Sequence, residues 1–199
     1  MKKYLFIVTV FFLTTAAFAQ KKKPVKASNS AALVKLNNLS IELIKNKLYL
    51  FIDNKGAKRD TIILKSYEGS AAPIDCKISP FTTKGTALHL ISWTETAVIE
   101  SKDKTENKSM QYSEIWNLKT KSKAFSNLQT TTKIKEIQYL DKLKNASQTV
   151  EKIRNEGLSY SLTKDGDVFL KNKTQENTLS YNVSSNVYQN VKDITPKKK

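Results

Sequence analysis

The chain has 199 residues, one histidine, one cysteine and a formal net charge of +16. One histidine and one cysteine exclude the usual nitrogen and sulfur metal sites and any disulfide within the chain, so neither metal nor cofactor is expected. Only two of the 34 basic residues are arginines, Arg59 and Arg154; base-edge reading leans on arginine's planar fork, and no specific nucleic-acid partner is expected.

Residues 1–19, MKKYLFIVTVFFLTTAAFA, read as a secretory signal peptide. Lys2 and Lys3 form the basic start, a run from Tyr4 to Leu13 the apolar centre, and Ala17-Phe18-Ala19 the small-x-small cleavage site. The apolar centre is about ten residues, short of the roughly 20 that span a bilayer, so no transmembrane helix is expected after cleavage. Gln20 stands where a lipoprotein would carry its cysteine. Residues 20–31 read as a flexible basic lead-in and 193–199 as a basic tail. KKKPVK (21–26) and PKKK (196–199) hold seven of the lysines.

Residues 32–192 read as a single β-rich domain. LSIELIKNKLYLFIDN (39–54) alternates, with Leu48, Leu50 and Ile52 on one face and Tyr49 and Phe51 on the other. Asn54, Lys55 and Gly56 supply turn chemistry, and DTIILKSYE (60–68) returns. IDCKIS is a short strand before Pro80, and TALHLISWTETAVIES (86–101) is the longest strand candidate. After KDKTENK, strands are expected in MQYSEIWNLKTKSKAF and KIKEIQYLD. ASQTVEKIRNE predicts a short α-helix near 146–157, with Ser147 as cap and Gly157 as stop. LSYSLT, VFLKNK, NTLSYNV and VSSNVYQNV close the chain as a meander, Asp165-Gly166 turning one hairpin. The class expected is mainly β: an antiparallel β-sandwich or open barrel-like sheet with that one helix.

SEIWNLKTKSKAF resembles the strand–turn–strand segment of a β-propeller blade, with Asn117 in place of Asp and Lys121 in place of the turn glycine. A closed propeller needs about four blades or more, and no second copy occurs.

Folding 86–121 as one hairpin around Lys104-Thr105 sets Trp93 opposite Trp116, Ile91 opposite Leu118 and Ala97 opposite Tyr112. It also sets Glu95 opposite Glu114, like charges that repel unless they share a proton or a cation. Two carboxylates about 5 Å apart suit a retaining glycosidase, and Glu95 with Glu114 is the candidate catalytic pair. Trp93, Trp116 and Tyr112 are the candidate ligand-binding residues, forming an aromatic band that suits sugar rings. His89 alternates in phase with Ile91 and Trp93 and reads as a packed strand histidine; Cys76 reads as a buried thiol or a bridge between chains.

The function expected is that of an exported, periplasmic or secreted, β-rich binding or envelope-associated protein. Its partner would be an anionic polysaccharide, a lipid headgroup or an envelope protein. The alternatives are a glycan-acting enzyme using Glu95 and Glu114, and a purely structural envelope component. Intact-mass measurement on the exported protein should give a mature N-terminus at Gln20; a species retaining Met1 would make residues 1–19 a membrane anchor instead.

Overall fold

The computed structural model describes residues 32–54, 56, 58–68 and 72–191. The expected signal peptide, lead-in and basic tail lie outside the described residues. Among the described residues, thirteen strands form three antiparallel sheets, so the fold is mainly β as its alternation predicts. The first sheet holds β1 (Val34–Leu36), β2 (Leu39–Ile44), β3 (Lys47–Ile52) and β4 (Asp60–Ser66). The central sheet holds β5 (Ile74–Thr83), β6 (Thr86–Ser101), β7 (Lys104–Asn117), β8 (Ser122–Tyr139) and β9 (Ser147–Glu156). The third holds β10 (Ser159–Leu162), β11 (Val168–Lys171), β12 (Glu176–Asn182) and β13 (Val187–Asn190).

The two small sheets cover opposite faces of the central one. On β6, Ile91 and Trp93 join one apolar cluster with Leu39, Ile41, Leu48 and Leu50 of the first sheet. Leu88 of the same strand, out of phase with them, joins Ile115, Phe125, Val168, Leu170 and Tyr181 in the second. Successive side chains of a strand point to opposite faces, so one sheet lies above β6 and the other below. The third sheet is also tied down by polar contacts. Tyr188 donates to the Gly166 carbonyl at 2.7 Å, Thr83 Oγ1 to the Asp165 carbonyl at 2.9 Å, and Lys84 Nζ to the Tyr181 carbonyl at 2.7 Å.

The central strands outrun this cover. Among the described residues, none of 94–101, 104–111, 126–139 or 147–156 belongs to either cluster. The distal half is a single layer with solvent on both sides.

Residues 147–156 form an edge strand in place of the expected helix. All ten pair with β8, from Thr130↔Glu156 to Tyr139↔Ser147. Gln, Glu, Lys and Arg are good helix formers, but tertiary pairing overrides so small a preference. An edge strand wet on both faces shows no apolar alternation to betray it, and ladder pairing decides. Lys135 faces Glu151, and Lys152 reaches Glu136 at 3.4 Å. The SEIWNLKTKSKAF segment is a strand–turn–strand unit of the central sheet, part of no propeller.

Gly166 (φ +83°) would place a Cβ 2.5 Å from Thr83 Cβ, whereas Gly85 (φ +75°) opens on free space. Gly85→Ala should therefore cost only the left-handed strain, about 1 kcal/mol, and Gly166→Ala about 3 kcal/mol, since the third sheet must also lift off Thr83. Equal denaturant midpoints for the two variants would contradict this close docking.

Candidate functional site

Two buried carboxylates mark the face under the first sheet. Glu95 accepts from Trp93 Nε1 (2.8 Å) and from Lys65 Nζ (2.9 and 2.7 Å). Glu114 repeats the motif, accepting from Trp116 Nε1 and Lys123 Nζ, both at 2.8 Å. Each tryptophan lies two residues from its glutamate, so both point the same way. Each lysine comes from another strand, and a β-bulge delivers each one.

Between β3 and β4 the register slips at Leu48/Tyr49, so that Lys65 pairs with core-facing Leu48 while Ile63 pairs with outward Tyr49. Between β7 and β8 it slips at Ile115/Trp116, so that Ala124 is the extra residue and Lys123 pairs with Trp116. A bulge re-aims the side chains beyond it, and without these two both ammonium groups would point away from their carboxylates.

The Lys65 ammonium also donates to Tyr112 Oη at 2.6 Å and sits 4.0 Å above that ring. Burial acts to lower the Lys65 pKa, but the bonds to Glu95 and Tyr112 outweigh it and hold the ammonium charged. Burial, then the neighbouring Glu95 carboxylate, pushes the Tyr67 phenol up. A proton carrier needs a pKa near the working pH, and this cluster moves both groups away from it.

The register around Glu95 differs from the expected one. The β6–β7 turn is Lys102-Asp103, so Trp93 faces Tyr112, Trp116 faces His89, Glu95 faces Met110 and Glu114 faces Ile91. Glu95 and Glu114 thus share a face but stand four residues out of register, about 13 Å along the strands, beyond either glycosidase separation. Trp93 is 1% exposed and Trp116 8%. They form core with Tyr112, which is half-buried and stacked 4.9 Å from the Trp93 ring. The aromatic band exists, packed under the first sheet, with Trp93 and Trp116 buried and Tyr112 half-buried.

His89 is half-buried with Nδ1 unbonded, and burial pushes its pKa below the usual histidine range. Cys76 packs against the core, and burial pushes its thiol up to about 11, far from the thiolate that would make it reactive. Among the described residues no cluster of His, Cys, Asp or Glu forms a metal cage, and no helix is long and apolar enough to cross a membrane.

The open concave surface lies on the opposite face, beside the third sheet. A groove of about 740 Å³ runs between the bare central sheet (Gln129, Ile153, Asn155) and the β11–β12 turn (Lys171, Asn172, Lys173, Thr174). A smaller hollow of about 180 Å³, lined by Asp75, Lys77, Ser92, Trp93, Thr94 and Gln111, opens at the β5 bulge. Ladder pairing joins the two. Thr94 faces Gln111, which faces Gln129, and the next row runs Thr96, Ser109, Thr131, Asn155.

Sequence reading missed this surface, because hydroxyl and amide residues in a strand carry no signal beyond "solvent face". Compared with models of known protein families, with curated proteins and with solved structures, the chain matches none.

Lys65→Met should cost about 3 kcal/mol in urea unfolding, the low end for breaking a buried pair because Lys65 remains 27% exposed. Adding Glu95→Gln, which keeps an acceptor for Trp93, should recover most of that loss. A cost under about 1 kcal/mol for the single change would mean that water reaches Glu95.

Proposed function

We propose that this is an exported β-rich protein that binds an extended anionic polysaccharide at or outside the cell envelope, without catalysis. Export rests on the basic start, apolar centre and cleavage site within residues 1–19. One observation carries the binding: the row Thr94, Gln111, Gln129 crosses three strands from one hollow to the other on an uncovered face.

Neighbouring strands lie about 4.8 Å apart, so such a row sets donors and acceptors at the spacing of successive polar groups on an extended polymer. Hydroxyl and amide side chains each offer both donor and acceptor, as sugar hydroxyls do. Lys77 at one end and Lys171 and Lys173 at the other would meet carboxylate or sulfate groups. Sequence-tolerant binding of single-stranded nucleic acid would call for a run of exposed aromatic stacking platforms instead. Among the described lining residues of the two hollows only Trp93 is aromatic, and it is 1% exposed. The lysine tails would add salt-sensitive attraction to any polyanion without selecting one.

Alginate retention tests this against neutral dextran. The protein should be retarded on alginate alone, and Gln129→Glu with Lys173→Glu should weaken retention roughly tenfold while leaving the seven tail lysines in place. Retention that survives both changes would assign binding to the tails. No retention at all would leave the structural envelope role.

A further inference from the structure

The tip of the central sheet, farthest from both apolar clusters, holds apolar side chains out in solvent on a firmly built loop. Leu143 is 81% exposed and Leu140 63%. The β8–β9 loop that carries them (140–146) is closed by Asp141, whose carboxylate accepts the backbone N–H groups of Asn145 (3.0 Å) and Ala146 (2.9 Å). The Leu140 N–H bonds the Ala146 carbonyl at 2.9 Å, and the Lys144 N–H bonds the Asp141 carbonyl at 3.2 Å. These bonds hold the Asp141 carboxyl below the usual carboxylate range. The loop keeps its leucines outward by construction.

The two aspartates of the tip accept hydrogen bonds from within it: Asp141, though exposed, from its own loop. Asp103, half-buried in the β6–β7 turn, accepts from Tyr139 Oη at 2.9 Å, and its carbonyl accepts the Ile137 N–H at 2.8 Å. The lysines face out: Lys102, Lys142 and Lys144 are all exposed, with the Lys144 ammonium 4.6 Å over the Tyr139 ring. Two projecting leucines, a tyrosine at their base and a collar of lysines form a small convex patch. A stable protein interface buries about 800 Å² per partner on complementary surfaces, more than such a point offers. The same features match a bilayer interface, where leucines enter the acyl boundary, tyrosine sits at headgroup level and lysines meet anionic lipid.

From this geometry we infer that the 140–146 loop, with the adjoining β6–β7 turn, docks the protein on an anionic lipid bilayer. The single-layer half then acts as a stalk that holds the polar groove off the membrane. The inference stands on residues separate from those of the groove, and the two are tested separately.

Flotation with phosphatidylcholine vesicles, with and without phosphatidylglycerol, tests it at about 0.3 M salt, where the tails are largely screened. The full chain should float with the anionic vesicles. Leu140→Ser and Leu143→Ser should each weaken flotation roughly tenfold, and Lys142→Gln with Lys144→Gln should do so comparably. Alginate retention and the unfolding midpoint should be unchanged in all of these exposed-site variants. Flotation insensitive to the leucines would overturn the inference, as would no flotation at all. A leucine variant that alters the sedimentation of the free protein would overturn it too, by making the tip a contact between proteins.

Discussion

The constraint on which the molecule depends is a mismatch of length. Strands β6, β7 and β8 run 16, 14 and 18 residues, while no strand of the two covering sheets exceeds seven. A sheet covered on both faces must be apolar on both, and β6 complies over its first half with Leu88, Ile91 and Trp93. A sheet bare on both faces favours polar side chains, and the second half of β6 turns to Thr94, Thr96 and Glu100, with Val98 and Ile99 left exposed toward its end. The change of chemistry partway along the strands places the groove at the step between covered and bare sheet, and the tip at the far end.

Near that step the sheet keeps two carboxylates in its covered face. Desolvating an ion pair costs more than its attraction returns unless further hydrogen bonds complete it, so Glu95 and Glu114 are weak evidence for stability as such. What they supply is position. Lys65 reaches Glu95 only if the first sheet sits in one register over the central one, and a slip by one residue would bury an uncompensated charge. Arg59 does comparable work on the outer side of the first sheet, donating to Ser40 (2.6 Å) and Glu42 (2.8 Å) while lying 3.9 Å over the Phe51 ring. That clasp holds Arg59, at the entry to β4, against its own sheet.

The alternation that marks the covered strands is plain in the chain, as are the turn residues between them. Less legible was anything that depends on counting across a turn. Placing the β6–β7 turn at Lys104-Thr105 rather than Lys102-Asp103 shifts every partner by four. An even shift preserves faces, so Trp93, Glu95, Tyr112, Glu114 and Trp116 do share one side although none meets its expected partner. The bulges were invisible, because one extra residue reads as a lapse in the pattern. Lys65 and Lys123, the partners that explain both glutamates, therefore stand in the phase of solvent-facing residues. Residues 146–157 misled for the opposite reason: a strand with both faces in water has the composition of a surface helix.

A bare layer of sheet invites association, and the side chains of the distal half show how that is answered. Thr132 and Ile134 are buried although no second sheet lies over them. The side chains of Lys104, Glu106, Lys108 and Arg154 converge on the same face, linked by Glu106 to Lys104, Lys108 at 3.7 Å and Arg154 at 3.9 Å. Their aliphatic stems act as the missing layer while their charged ends stay wet. On β9, the edge strand, Glu151, Lys152, Arg154 and Glu156 fall within six residues, a charge density that discourages pairing with another edge. The opposite face has no such cover. Its rows of hydroxyl and amide groups near the groove give way farther out to Val98, Asn107, Lys133 and Ile153, with Val98 59% and Ile153 68% exposed. One face of the stalk is thus sealed by its own charges and the other is open, and the open face is the one that runs into the groove.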